Sequence, residues 1–494
     1  MFELFLQSIG GLFTPSLMIA MFGAVMLGII FGILPGLGGM TFLAILIPFT
    51  FEMDKLMAIC VLLSGHAVAH TSGGITAILL NVPGTSVNAP TLLDGHPMAQ
   101  QGKAGRAIGN AVMASAVGGV IGGIVLLLVI PVLRPIIMHV GSPELFLLCI
   151  LGITFIATLS SKSRIKGLIS GSFGLVVSFI GMDYVTGTSR LAFGSLYLAD
   201  GLKMVPVVLG VFALPEILKM MATGRTIAKA GTIETAKADI LQGIKDVFIH
   251  WWLLLRGSAI GVFVGIVPGI GSEVAVWVCY AHAQQSSKNP EMFGKGSVEG
   301  IIAPEAANNS KEGGALIPTL GFGIPGSGGM AVLMGAFLML DIIPGPSFLS
   351  QNMDLCFSMV GALVIGNIMA AVICLVAAKH LAKVAFTPSR VLAPVIFGVL
   401  VLGAYVYRTT TLDIVTLLVF GVFGYLMARF DFPRPPFILA FILGHLAENY
   451  LHLSLKTVGL SFVGRPASLL LSCVFVFVII LPFIKYLVKK RKGR

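Results

Sequence analysis

The sequence predicts an all-α polytopic membrane protein: two inverted-topology repeats with Pro-Gly-broken helices or re-entrant hairpins, in roughly 12 transmembrane segments. Three observations carry that reading. Of 494 residues, 56% are hydrophobic and only 11% charged, against roughly 25% charged in soluble domains. Apolar runs of about 17 residues or more recur along the chain, enough to cross a bilayer as helices. Two stretches are near copies: GIIFGILPGLGGMTFL (Gly28–Leu43) returns as GVFVGIVPGIGSEVAV (Gly261–Val276), with Pro35/Pro268, Gly36/Gly269 and Gly38/Gly271 in register. A second pair follows, GGITAILLNVPGTS (Gly73–Ser86) and GGALIPTLGFGIPGSG (Gly313–Gly328).

The N-terminus, Met1–Ser16, lacks Lys and Arg, so no basic n-region marks a signal peptide and the first apolar run is expected to remain as a span. Further spans of the first half fall near residues 107–130, 144–159, 167–182 and 204–218. A hydrophilic stretch at 219–245 carries Lys219, Arg225, Lys229, Lys237 and Lys245 and separates the similar halves. Trp251-Trp252 opens the second half as an interface belt. Its later spans fall near 357–378, 391–407, 412–428 and 437–450, and a last one, 467–488, has no counterpart in the first half. The halves also share SPELFLLCILGI with TPSRVLAPVIFGVL, and Gly171-x-x-Gly174 with Gly421-x-x-Gly424. Each closes on a Pro-led apolar segment ending in Glu, at Pro206–Glu216 and Pro436–Glu448. The domain reading is therefore 1–218 first repeat, 219–248 cytoplasmic basic linker, 249–455 second repeat, and 456–494 extra helix with basic tail. The stretches 40–94 and 272–341 leave full spans, broken helices and hairpins open.

Basic residues set the orientation. Lys103 with Arg106, Lys162 with Arg164 and Lys166, the 219–245 stretch and the tail from Lys489 to Arg494 point to the cytoplasm. The N-terminus then lies in the periplasm, and the two halves enter the membrane from opposite sides. Lys456 and Arg465, in the last outside loop, count mildly against the scheme. The net charge of +11 fits topology and anionic lipid headgroups, with no nucleic acid implied. Six cysteines lie in or beside apolar segments without CxxC spacing, which reads as buried thiols and not as a disulfide framework.

A Pro-Gly pair frees backbone N–H and C=O groups that lipid cannot satisfy. Paired breaks at corresponding places in two halves point to a transporter binding site. A helix restarting after Pro35-Gly36, Pro83-Gly84, Pro268-Gly269 or Pro325-Gly326 offers an anion its free N–H groups and positive dipole end. Beside the breaks stand Asn81, Thr85, Ser86 and Asn88 in one half, and Ser272, Asn308, Asn309, Ser310, Thr319 and Ser327 in the other. These donate to carboxylates or, through oxygen, coordinate Na⁺. Glu273 and Glu305 are candidates to hold a coupling cation or proton if they lie at depth; Glu305 reads equally as interfacial. His66 and His70, spaced i, i+4, read as hydrogen-bonded interior residues in preference to a metal site, since no third ligand is evident. Gly118-Gly119, Gly122-Gly123 and Gly171-x-x-Gly174 read as helix-packing sites. Asp94-Gly95-His96-Pro97 reads as a turn with a positive anchor behind it, and as a gate or partner contact only secondarily.

The segments GILPGLGG, LLNVPGTSVNAPTLLDGHPMAQQGKAGRA, PGIGSEVAVW and FGKGSVEGIIAPEAANNSKEGGALIPTLGFGIPGSGG resemble the signature segments of the large membrane subunit of tripartite tricarboxylate transporters, the TctA family. The resemblance covers essentially the whole chain. It implies secondary uptake of carboxylates across the bacterial inner membrane, with Na⁺ or H⁺ as coupling ion and no other cofactor. It also implies two protein partners, a small membrane subunit and a periplasmic solute-binding protein. An ion or anion channel with re-entrant Pro-Gly filter segments is the competing reading. An enzyme finds no support, for there is no HExxH, GxSxG or Walker A sequence.

Overall fold

The computed structural model describes residues 2–34, 36–137, 140–159, 163–183, 187–223, 237–268, 272–384 and 389–477. Almost all of them are helical. Two short helices would be expected where the chain dips into the membrane and returns, and each half has such a pair around one long helix. In the first half α1 (Phe2–Gly11) and α2 (Pro15–Ile33) lead to α3 (Gly38–Thr50), α4 (Lys55–Leu80) and α5 (Ala89–Gln100). With 13 and 12 residues, α3 and α5 rise only about 20 Å, short of the ~30 Å hydrocarbon core. They are followed by α6 (Ala104–Ile137), α7 (Ser142–Leu159) and α8 (Arg164–Ser178). A small antiparallel hairpin, Gly181–Met182 with Ser189–Arg190, interrupts the otherwise helical chain. It stops α8 short of Met182, where the sequence had suggested the span would end. Then come α9 (Leu196–Ala199), α10 (Met204–Val208), a π turn at Leu209–Ala213, and α11 (Leu214–Thr223).

The second half opens with α12 (Lys237–Ile249), bent by 75° from α13 (Trp251–Ile266). Trp251 and Trp252 lie exposed at that bend, as an interface belt requires. The dip-and-return pattern follows again in α14 (Ser272–Ser286), α15 (Glu299–Phe322) and α16 (Gly328–Met339). After α17 (Pro346–Gln351) come α18 (Met353–Val384), α19 (Ser389–Arg408), α20 (Thr411–Arg429), α21 (Arg434–Thr457) and α22 (Pro466–Phe477). Among the described residues, seven helices are long and apolar enough to cross a membrane, or eight if the bent pair counts as one. The rest of the expected last span and residues 224–236 of the 219–245 stretch lie outside the described residues.

Local chemistry repeats with the sequence. Both α2 and α13 end on an extended residue, Leu34 (φ −83°, ψ 105°) and Val267 (φ −84°, ψ 109°). Both α4 and α15 end on a left-handed residue that turns the chain back, Asn81 (φ 54°) and Gly323 (φ 66°), and the Gly323 N–H donates to the Thr319 carbonyl at 3.1 Å. Asp54 caps α4 by accepting from Met57 N, and Ser327 caps α16 by accepting from Met330 N.

Helices α4 and α15 are buried on every side, so they are interior helices, not lipid-facing ones. Packing runs as a row: α2 on α4, α4 on α18, α18 on α6, α6 on α15, and α15 on α13. Small residues allow this closeness. A Cβ at Gly261 would sit 2.7 Å from Ala307 Cα, one at Gly366 2.8 Å from Ser64 Cβ, and one at Gly123 2.6 Å from Val364. Gly118 and Gly122 abut the backbone of α15, so the packing reading of these glycine pairs holds. A second group gathers α7 and α8 on α21, and α19 and α20 on the α10–α11 segment. Gly174 of α8 abuts the Phe437 carbonyl, and Gly424 of α20 the Val211 carbonyl. Equivalent glycines thus make equivalent contacts in the two halves.

Candidate functional site

A cavity of about 930 Å³ lies where the helix breaks meet. Its wall takes Gly36, Gly38 and Thr41 from the start of α3, and Pro83, Gly84, Thr85 and Ser86 from the approach to α5. Ser272 and Glu273 come from the start of α14, and Ser327 and Gly329 from the start of α16. The second helix group closes it with Phe212, Glu216 and Arg434. Helix starts carry unpaired N–H groups and a partial positive charge, so these restarting helices make its wall suited to anions.

Nine sequence-predicted residues line this cavity: Gly36, Gly38, Pro83, Gly84, Thr85, Ser86, Ser272, Glu273 and Ser327. Pro35, Gly269 and Gly271 lie outside the described residues. The others stand behind the wall or shape it. Asn81 caps α4. Pro268 and Pro325 belong to the breaks without lining the cavity. Gly326 N–H donates to Thr319 Oγ1 at 3.3 Å, and Thr319 Oγ1 donates to the Ala315 carbonyl at 2.6 Å, so both residues hold the break in place. A Cβ at Gly326 would lie 2.6 Å from Gly265 O and from Ala315 Cα, and one at Gly84 2.6 Å from Gly73 Cα. Glycine is needed at both positions for close approach. Gly36 needs it for conformation, with φ 93° and Glu216 beside it.

Glu305 is buried between the halves. Its Oε1 accepts from Thr91 Oγ1 at 2.6 Å and Asn88 Nδ2 at 3.1 Å, and its Oε2 from Asn308 Nδ2 at 3.1 Å. Asn88 and Asn308 also donate to the His70 carbonyl, at 2.9 and 3.3 Å. Thr85 Oγ1 donates to Asn88 Oδ1 at 2.6 Å. Glu305 is thus enclosed by polar side chains from both halves. Asn309 reaches Thr71 Oγ1 at 2.7 Å and also donates to Asn367, tying α15 to α4 and α18. Glu273 accepts from Ser86 Oγ at 2.8 Å and so joins the halves at the cavity wall.

The histidine pair gains a third group that the spacing of His66 and His70 did not reveal. Glu312 Oε2 lies 3.6 Å from His66 Nε2, and its Oε1 3.4 Å from His70 Nε2. Lys311 Nζ pairs with that same Oε1, so one of the three groups that together could hold a metal ion already has a cation as partner. All four side chains are almost wholly buried, yet His66, His70 and Lys311 still reach the cavity. The available signal was Lys311-Glu312 itself, a charged pair inside a helix of 24 residues that is otherwise uncharged after Glu305. Arg434, absent from the sequence-based set, donates to Glu216 Oε1 at 2.9 Å at the cavity wall.

The family model described as tripartite tricarboxylate transporter TctA family matches residues 18–439. The chain belongs to the TctA family. TctA is a transporter family, and its members are membrane components of tricarboxylate transporters. A relative from Agrobacterium vitis, "Uncharacterized 52.8 kDa protein in TAR-I ttuC' 3'region", is 31% identical over 482 residues, covering 94% of this chain and 93% of the relative. A second A. vitis relative, "Uncharacterized protein in TAR-II ttuC' 3'region", is 33% identical over 231 residues, 46% of this chain and 96% of the relative. No solved structure matches. Within this TctA chain the breaks, the helix starts and the buried charges belong to one place.

The same fold gives Asp94 a firm role. Its Oδ1 accepts from the backbone N–H groups of Gly294, Gly296 and Ser297 at 2.8, 3.0 and 2.8 Å, and its Oδ2 from Tyr280 O–H at 2.9 Å. Asp94 is a tie between α5 and the loop before α15, replacing the turn expected from Asp94-Gly95-His96-Pro97.

Proposed function

We propose that this chain carries carboxylates, tricarboxylates or related organic anions, into the cell by secondary active transport across the bacterial inner membrane, driven by a Na⁺ or H⁺ gradient. The observation that most supports it is the convergence of restarting helices from both halves on one cavity. An anion there meets helix N-termini, hydroxyls of Thr85, Ser86, Ser272 and Ser327, and the Lys311 ammonium. Glu273 and Glu305 stay candidates for the coupling ion, with Na⁺ held by carbonyls freed at the breaks and by nearby side-chain oxygens. Substrate is delivered by a periplasmic solute-binding protein, and a small membrane subunit completes the assembly.

The repeats, 1–218 and 249–455, are read as inverted within roughly 12 segments, with the N-terminus periplasmic and the C-terminus cytoplasmic. Two ion pairs that cross between halves support this. Glu216 pairs with Arg434, and Glu448 with Arg190 in a two-pronged contact of 2.7 and 2.9 Å. Arg434 and Glu448 stand about 21 Å apart along α21, so the two pairs hold that helix at two levels.

The test is uptake of radiolabelled citrate, malate and succinate into vesicles holding this chain, its small partner and its binding protein. Na⁺ and pH gradients are imposed separately. Saturable accumulation that collapses with one gradient is expected. Gradient-independent equilibration with unitary currents would favour a channel and overturn the reading.

A further inference from the structure

Resting on the carboxylate reading of the cavity, we propose that an entering carboxylate takes Lys311 from Glu312, and that Glu312 is then balanced by a proton captured on His66 or His70. With both histidines neutral the cluster is complete in charge: one ammonium, one carboxylate, two imidazoles. Lys311 and both histidines line the cavity, while Glu312 does not. An anion can therefore reach the cation without reaching its counter-ion. Once Lys311 turns to the ligand, Glu312 is a buried carboxylate with no cation, a state that buried sites disfavour strongly.

The imidazoles are placed to relieve it. Both Nε2 atoms face Glu312, at 3.6 and 3.4 Å. Both ring nitrogens of His66, Nδ1 of His70 and Oε2 of Glu312 are buried without a hydrogen-bond partner. The two rings meet edge to face with centroids 5.2 Å apart, so one proton serves the pair and a second would be repelled. Gly39 and Gly329, from α3 and α16, lie beside the His66 ring, where a Cβ on either would come within 2.6 Å of it. The charged groups facing the pair come from α15 alone among the described neighbours: Lys311, Glu312, and Glu305 through Asn88 and Asn308. Contacts of α4 with α2, α3 and α18 are made by glycine, serine and apolar residues. Glu273, Glu216 and Arg434 stand elsewhere on the cavity wall.

The step balances simply. One proton passes from a buffer acid in the solvent through cavity water, one N–H bond forms on imidazole as the acid's O–H or N–H bond breaks, and the ion pair exchanges one carboxylate for another. Carboxylate binding and proton binding thus favour each other, and by linkage each strengthens the other equally.

The experiment uses the purified full chain in nanodiscs, with citrate as probe at about pH 8, where citrate is fully ionised. Calorimetry in two buffers of different ionisation enthalpy reads the protons taken up. About one proton per citrate is expected for the unaltered chain, and close to none for the double variant His66→Gln/His70→Gln, which binds more weakly. Binding without proton uptake, or unchanged uptake in the variant, would overturn the proposal. Should the variant not fold, the unaltered chain still decides: its citrate affinity must fall about tenfold per pH unit above neutrality, and a flat profile refutes the exchange. If citrate, malate and succinate all fail to bind and are also not taken up by the full assembly, the carboxylate reading itself falls; uptake by the assembly without proton-linked binding overturns this proposal alone.

Discussion

At the scale of single residues, the account turns on buried charges whose partners come from far along the chain. Lys311→Gln leaves Glu312 to a proton on His66 or His70 and is expected to destabilise the protein by up to about 3–5 kcal/mol, more as pH rises and that proton is lost, read as a lower melting temperature in detergent. Adding Glu312→Gln should restore stability without restoring citrate binding, which stays weakened roughly 10- to 100-fold for want of a charge-assisted contact. Normal binding by the double variant would remove Lys311 from the site. Asp94→Ala strands three backbone donors and a tyrosine hydroxyl, with an expected loss of at least about 3 kcal/mol. Of these partnerships only the adjacency of Lys311 and Glu312 was legible beforehand. Asp94 and its donor loop are 200 residues apart, and Glu305 takes two donors from the other half. What sequence could supply was the polarity of the break residues, and nine of those do line the cavity.

The helical elements were more legible than the residues. Pro-Gly breaks announce themselves because proline and glycine end helices whatever surrounds them, and both pairs of breaks fall where the sequence placed them. The lengths of α3, α5, α14 and α16 were not readable, because a short apolar run fits a half-span or a full one until its ends are capped in space. Close packing at the breaks also alters what substitution there means. A side chain at Gly326 meets the backbone of α13 and α15 within 2.6 Å, so Gly326→Leu is expected to cost about 1–3 kcal/mol or more through overpacking, alongside lost transport. A normal melting temperature for that variant would contradict the packing. Between elements, the Arg434 and Glu216 pair should tolerate exchange: Arg434→Glu with Glu216→Arg is expected to recover much of the uptake that either change alone removes. Failure of the swap to recover any would show that the arginine acts on substrate and not on the helix.

For the molecule as a whole, the charge pattern predicts orientation and the fold predicts where the anion rests. Thiol labelling from outside intact cells should reach Ser350→Cys and miss Thr232→Cys; the reverse would undo the inverted arrangement. The isolated chain is expected to transport poorly, since substrate capture is assigned to its periplasmic partner, and efficient micromolar uptake by it alone would contradict that dependence. The central claim is that carboxylates bind where the breaks converge, and ligand protection of a cavity thiol tests it most directly. Cys473 is the one exposed cysteine among the described residues, the other five being buried, so Ser86→Cys in a Cys473→Ser background gives a single reactive probe at the cavity wall. Citrate is expected to slow maleimide labelling of that thiol in a saturable manner, while a neutral sugar at equal concentration leaves it unchanged. Labelling at one rate with and without every carboxylate tried would contradict the account.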